Sequence, residues 1–325
     1  MASVSIIIPM YNVAQFIEKC IKSAYDQDMQ DSDFEVILVN DESPDNSLEI
    51  ATRLTSERNN VTIVSQKNKG LGGARNTGVE QANGDYIIFL DSDDFLLPNM
   101  LKTAVAVAKE KDLDVLEFGA QGVDELGKIV YTKAISSGAE IFKGIDYCRE
   151  IAYMDSACNK LYKRDFLNQN KLVFIEKIFI EDYEFNTRVF ACAQRVMAIP
   201  TIVSHFLQNS NSITRSTNPE KIEKMKRDII QVIRIIDNER IQALPEKVDF
   251  YNQRLSYLTA TLFYQLLKAN ASFRSFLDLK NQLMKEQILF LDYPIYDRKK
   301  NFFRVFFLKN FIFLRLIAGK RKVWF

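Results

Sequence analysis

The chain has one histidine, His205, and four cysteines, Cys20, Cys148, Cys158 and Cys192, with no C-x-x-C spacing among them. That scarcity excludes a cysteine–histidine zinc site or a disulfide framework as the organising device, and scattered thiols suit a reducing cytoplasm. Charge of one sign is also missing. Lysine and arginine number 43 and aspartate and glutamate 42, a formal net charge of +1, so no global basic surface calls for nucleic acid and any basic partner surface is local. The first apolar run, "VSIIIP" from residue 4, has no basic residue before it. The run is too short for a signal-peptide core or a membrane span, so this end is expected in the cytosol. No internal repeat and no low-complexity linker is visible. What is present is 47% hydrophobic and 26% charged residues over 325 positions, an ordinary globular composition long enough for one large domain with an appendage or for two.

The first 120 residues alternate between two kinds of segment. Short apolar runs stand at 3–9, 34–40, 61–65, 85–90 and 113–118, and continuous apolar character over five or six residues fits strands covered on both faces. Between them the spacing is helical. Beyond Asn12, read as an N-cap, Val13, Phe16, Ile17, Cys20, Ile21 and Ala24 form one stripe. Residues 47–58, 74–82 and 98–110 also read as helices. This alternation predicts an α/β doubly wound, mostly parallel sheet. Past residue 120 the rhythm breaks, with helices expected near 144–153 and 182–193 and a late strand in "VMAIPTIVSHFL". From Pro219 nearly everything has helical spacing. The expected division is 1–217, with halves meeting near 120, and a helical region 218–325.

Ligands of doubly wound sheets bind at the carboxyl ends of the strands, so each strand tip matters. After the first stands "PMYN", with Pro9, Tyr11 and Asn12; after the second "NDESPDNS", with Asp41 and Glu42. After the third comes a glycine-rich loop, "QKNKGLGGARNTG", with Lys67, Lys69 and Arg75. It fails the dinucleotide fingerprint because Arg75 takes the last glycine position, and it lacks the lysine–hydroxyl ending of a P-loop. After the fourth comes "DSDD", with Asp91, Ser92, Asp93 and Asp94. Three carboxylates within four residues repel one another, and a divalent cation completed by diphosphate oxygens would relieve them. Each tip also has an ordinary use as a turn or helix cap.

In order, "SIIIPMYN", "VNDESPDNS", "NKGLGGARNTG", "FLDSDDFLLPNML", "NKLYKRDFL" and "FIEDYEFNTRVF" resemble the signature segments of the bacterial family 2 glycosyltransferases over residues 3 to about 215. The resemblance implies a GT-A fold, a nucleotide-sugar donor, most often a UDP-sugar, Mn2+ or Mg2+, and inversion at the anomeric carbon. It implies that Pro9, Tyr11 and Asp41 surround the nucleobase, that Arg75 lies near the donor phosphates or base, and that Asn12, Glu42 and Lys69 also belong to the donor site. Asp91, Ser92 and Asp93 would form the donor- and metal-binding run, Asp91 and Asp93 supplying the carboxylates, with His205 a further candidate ligand or else a packed strand-end residue. Asp182 matches the family's catalytic base. Glu181, Lys160 and Tyr162 are acceptor-side candidates, the last two equally readable as packing. The absence of Q-x-x-R-W favours transfer of a single sugar to a glycan or polyprenyl-linked glycan, as in surface polysaccharide synthesis. A pyrophosphorylase-like enzyme would carry its glycine-rich basic loop after the first strand, where this chain has "PMYN"; a non-catalytic binding module would not need all these carboxylates.

The carboxyl end, residues 298–325, holds nine basic residues, seven phenylalanines, one tryptophan and no acidic residue. A helix is expected over Asn301–Ala318, too often interrupted by Arg304, Lys309 and Arg315 for a comfortable span. Such a segment suits the headgroup region of an anionic membrane, which would make the protein peripheral on the inner face of the cell membrane. Its other uses are packing on the chain's own core or on a second copy in a homodimer.

Overall fold

The structure, a computed structural model, describes residues 2–208 and 218–319. The chain separates into two compact units, Met1–Asn209 and Ser210–Phe325; the expected division at 217/218 lies outside the described residues.

The first unit opens with strands and helices in alternation: β1 (Val4–Met10), α1 (Ile17–Tyr25), β2 (Phe34–Asn40), α2 (Ser47–Thr55), β3 (Val61–Ser65), α3 (Gly70–Gln81) and β4 (Tyr86–Phe89). The four strands are parallel, in the order β3-β2-β1-β4. Their runs are continuously apolar because both faces are covered. Ile6 and Ile8 share a core with Cys20, Ile21 and Ala24 of α1, while Ile7 meets α3 so closely that a Cβ on Gly78 would overlap its Cγ2.

Then follow β5 (Phe95–Leu96), α4 (Met100–Glu110), β6 (Val115–Val123), β7 (Ile129–Lys133), α5 (Gly144–Glu150), β8 (Lys160–Lys163), α6 (Arg164–Gln169), α7 (Glu181–Cys192) and β9 (Val196–Leu207). β8 enters antiparallel between β4 and β6, and β9 runs parallel to β6. β5 and β7 add antiparallel to β9 and β6. The expected parallel arrangement thus holds for the first half, and the second half is mixed.

Two local readings change. Asn12 is no N-cap: it sits at φ +56°, and α1 begins at Ile17. The amides of Val13 and Ala14 are instead received by Ser47 Oγ and Asp45 Oδ2, across the crevice from the next tip. The glycine-rich run expected as a loop forms the first turns of α3. Its glycines serve close approach, since a Cβ on Gly72 would stand 2.5 Å from the Ile175 carbonyl oxygen.

The second unit is helical: α8 (Pro219–Gln242), α9 (Pro245–Lys268), α10 (Phe273–Lys285) and α11 (Arg298–Phe303). Side chains of Asn218, Ser272 and Asp297 cap α8, α10 and α11. Ile229, Ile233, Leu255, Leu262, Phe263 and Phe276 are among its buried residues. The helix expected over Asn301–Ala318 is broken. α11 passes into a wide-turn segment, Arg304–Leu308, and after Lys309 and Asn310 a 3-10 turn spans Phe311–Leu316. No helix among the described residues is long and apolar enough to cross a membrane.

Candidate active site

In the order β3-β2-β1-β4 the chain reverses its direction of travel between β1 and β4, and such a switch point opens a crevice at the carboxyl ends of those strands. Pro9 and Met10 end β1 there, and Asp91 to Asp94 follow β4. Ser92 Oγ donates to the Pro9 carbonyl and locks the two tips together. Tyr11, half exposed, and Asn12 stand at the rim.

On the β2 side, Asp41 is buried. Its Oδ1 accepts from Gln66 Nε2 at 2.7 Å and from the Lys69 amide at 2.8 Å, so the carboxylate is fixed by the residues that lead into α3. Glu42, at φ +63°, accepts from the Asn68 amide. The Lys69 ammonium lies 4.0 Å from Glu176.

The centre of the site is Arg75. Expected near the donor phosphates or base, its side chain is only 1% exposed and its guanidinium is engaged by carboxylates. Nη2 donates to Asp91 Oδ1 at 2.8 Å, and Nη1 donates to Asp182 Oδ1 at 2.5 Å and reaches Glu181 Oε1 at 3.5 Å. Burial works against the cation, but Asp182 and Asp91 hold it firmly charged. One guanidinium therefore joins the carboxylate that follows β4 to the pair that opens α7. Glu181 sits at the interior end: burial and its neighbour Asp182 push its carboxyl up to about 7, against the pull of Arg75. Asp182 is a quarter exposed, and its Oδ2 accepts from the Ala157 amide at 2.9 Å.

That amide is itself positioned. Glu117 on β6 is fully buried. It accepts from Lys160 Nζ at 3.2 Å, Asn159 Nδ2 at 2.9 Å, the Met154 amide at 2.8 Å and the Tyr147 hydroxyl. Lys160 also donates to the carbonyls of Met154 and Ser156. The network ties residues 154–159 to the sheet and sets Ala157 against Asp182. Of the two readings of Lys160 and Tyr162, packing is the one displayed: both are fully buried, and the Tyr162 hydroxyl donates to Asn186. Glu117, Asn159 and Ala157 escaped the sequence reading. A lone glutamate in the apolar run "LDVLEF" was the signal available for the first, and Asn159 opens the signature segment "NKLYKRDFL"; Ala157 carries none.

His205 bonds Gln121 Oε1 through Nε2 and stands edge-on to Phe95. Burial, helped by Lys19, lowers its pKa. Of its two expected uses, strand-end packing is the one displayed. Among the described residues no three histidine, cysteine or acidic side chains converge as a metal centre. The acidic run nevertheless fits a hard cation. Asp94, buried and bonded to the Leu207 amide at 2.7 Å, has its carboxyl pushed well up by burial and by Asp93 and Asp91. Oxygen donors crowded to this degree match Mg2+ or Mn2+, which take one or two carboxylates and complete their shell with phosphate oxygens.

Fold and site define an α/β protein with its ligand crevice at a switch point and a carboxylate cluster beneath it. The sequence profile described as glycosyl transferase family 2 matches residues 5–170, and the chain belongs to that family. It is 35% identical over 217 residues to the uncharacterised glycosyltransferase EpsJ of Bacillus subtilis, an alignment covering 65% of this chain and 62% of EpsJ. It is 27% identical over 273 residues to the uncharacterised glycosyltransferase YibD of Escherichia coli, covering 78% and 76%. The crystal structure of Staphylococcus aureus TarS 1–349 in complex with UDP-GlcNAc superposes with a TM-score of 0.59 at 22% identity, over 81% of this chain and 82% of that one. The fold is thereby the GT-A arrangement of TarS, followed by helices.

Proposed function

We propose that the protein transfers a single hexosyl-type sugar, with inversion, from a UDP-sugar to a glycan or polyprenyl-linked glycan acceptor at the inner face of the cell membrane. The observation that carries this reading is the Arg75 bridge. It holds Asp91, which follows β4, and Asp182, which opens α7, on the two terminal nitrogens of one guanidinium; in this reading Asp91 faces the donor and Asp182 the acceptor. Direct displacement needs this pairing of a leaving-group side and a proton acceptor on the other side of the sugar.

Tyr11, exposed beside Pro9, would stack on the base, and the buried, doubly anchored Asp41 would accept from its edge. Asp93, with Asp91, would hold a divalent cation, which when bound stabilises charge on the departing diphosphate. Asp182 takes the proton from the acceptor hydroxyl. It stands in the first turn of α7, and Arg75 with the Ala157 amide fixes its direction. Glu181, deeper and harder to ionise, orients the guanidinium. UDP is supported by the TarS complex with UDP-GlcNAc. A polymeric acceptor is supported by a relative named poly(ribitol-phosphate) beta-glucosyltransferase, 26% identical over 260 residues.

Nucleotide sugars screened by thermal shift with Mn2+ test the reading. UDP-sugars should stabilise the protein and GDP- or dTDP-sugars should not; no response to any nucleotide sugar would overturn it.

A further inference from the structure

We propose that the outward face of the carboxyl-terminal segment, Arg298 to Leu316, is a docking surface for an anionic lipid bilayer. This deepens the location named above, and its test reads lipid binding without sugar transfer, so either reading can fail alone.

The segment has two apolar faces. Phe303, Phe307, Leu308, Phe311 and Leu314 are buried, with Phe303 against Tyr264 and Phe311 against Phe263 of α9. This face accounts for packing on the unit's own core. Arg304 belongs to it as well, buried and bonded to Asn301 and the Leu291 carbonyl. The opposite face stays open: Phe302, Val305, Phe306, Ile312, Phe313 and Leu316 are all exposed. Phe302 stacks on Phe306 at 5.5 Å and Phe306 on Phe313 at 5.2 Å, so the break after Leu308 folds the chain back and builds one continuous aromatic ridge. A contiguous apolar surface of this kind marks an interaction site.

Charge selects the occupant. Arg298, Lys299, Lys309 and Arg315 are exposed on the same segment, Lys309 3.7 Å from Asp292 and Arg315 over the Phe273 ring, and no acidic residue occurs from 298 onward. Isologous contact with a second copy would set these cations against their own equivalents. An anionic headgroup layer instead supplies the opposite charge, and its acyl boundary accepts the phenylalanines.

Flotation of the full chain with vesicles of phosphatidylcholine, alone or mixed with phosphatidylglycerol, tests the proposal. The protein should float with the anionic vesicles only and be released near about 0.5 M salt, where screening is short-ranged. The double variant F306S/F313S should partition roughly 10- to 100-fold less, the loss expected for withdrawing exposed phenylalanines from an apolar phase, with an unchanged far-ultraviolet spectrum. R298E/K299E alters only exposed charges, so it should weaken flotation even if the serine variant folds poorly. Absence of flotation with anionic vesicles would overturn the proposal, as would flotation that neither double variant reduces. A concentration-dependent dimer abolished by F306S/F313S, with no lipid binding, would assign the ridge to a second copy instead.

Discussion

Asp182 and Glu181 are neighbours in sequence with opposite environments, and their substitutions should separate. Asp182→Asn keeps the shape but cannot take a proton, and its single amide oxygen can accept from only one of Arg75 and the Ala157 amide. It is expected to lower turnover by roughly 10²- to 10⁴-fold while leaving UDP-sugar affinity nearly unchanged, read by single-turnover assay beside calorimetry. Near-normal turnover would remove Asp182 from the role of base. Glu181 titrates near neutrality instead. Its folded pKa, about 7, lies above the unfolded value, so below about pH 4.5 both states hold the proton and nothing is lost. As pH rises from there toward 7 the unfolded chain releases its proton first, and stability falls across that window. Glu181→Gln removes the titration, so the variant's urea midpoint should gain on the parent's between pH 5 and pH 7.5. A constant difference across that range would show that Glu181 is not held protonated.

At the scale of elements, the buried pair between β6 and β8 offers the sharpest test. Lys160→Met leaves the Glu117 carboxylate fully buried without its cation, and breaking such a pair from one side costs about 3–5 kcal/mol. The unfolding midpoint should fall accordingly; a loss under about 1 kcal/mol would mean that the three neutral donors to Glu117 suffice. This network also shows where the sequence stopped being legible. Strands β1 to β4 and helix α4 stood out because each apolar run or stripe is a local property of a few consecutive residues. The insertion of β8 between β4 and β6 joins residues more than forty positions apart in sequence, and no periodicity encodes that. The run from Gly70 read as a loop because glycine is a poor helix former, while its place in α3 is set by backbone at Ile175 that the local sequence does not reveal. The site was legible as a set of carboxylates at strand tips. That Arg75 turns inward to join them was not, since an arginine at a helix start looks the same whether it meets a phosphate or a buried aspartate.

For the whole molecule, ligand binding is a stability term, since anything held by the folded chain alone raises its unfolding free energy. At about 100 times its dissociation constant a bound nucleotide contributes about 2.7 kcal/mol. UDP with Mn2+ should therefore raise the melting temperature, EDTA should return it to the ligand-free value, and Asp93→Ala should abolish the metal-dependent part while keeping the ligand-free value. A full UDP shift in EDTA would detach the metal from donor binding and leave the crowding at Asp94 without its proposed relief.

The guanidinium at the centre of the site also constrains how this protein can drift over generations. Asp91 follows β4 while Glu181 and Asp182 open α7, two distant stretches of the fold, yet each touches the same side chain. Loss of any one acid leaves a buried cation undercompensated, and loss of Arg75 strands all three acids together. A lineage that exchanged one of the four would be under pressure to exchange another. In descendants that abandon sugar transfer, these positions should decay as a set, while rim residues such as Tyr11 and Asn12 can vary singly and retune what the crevice admits.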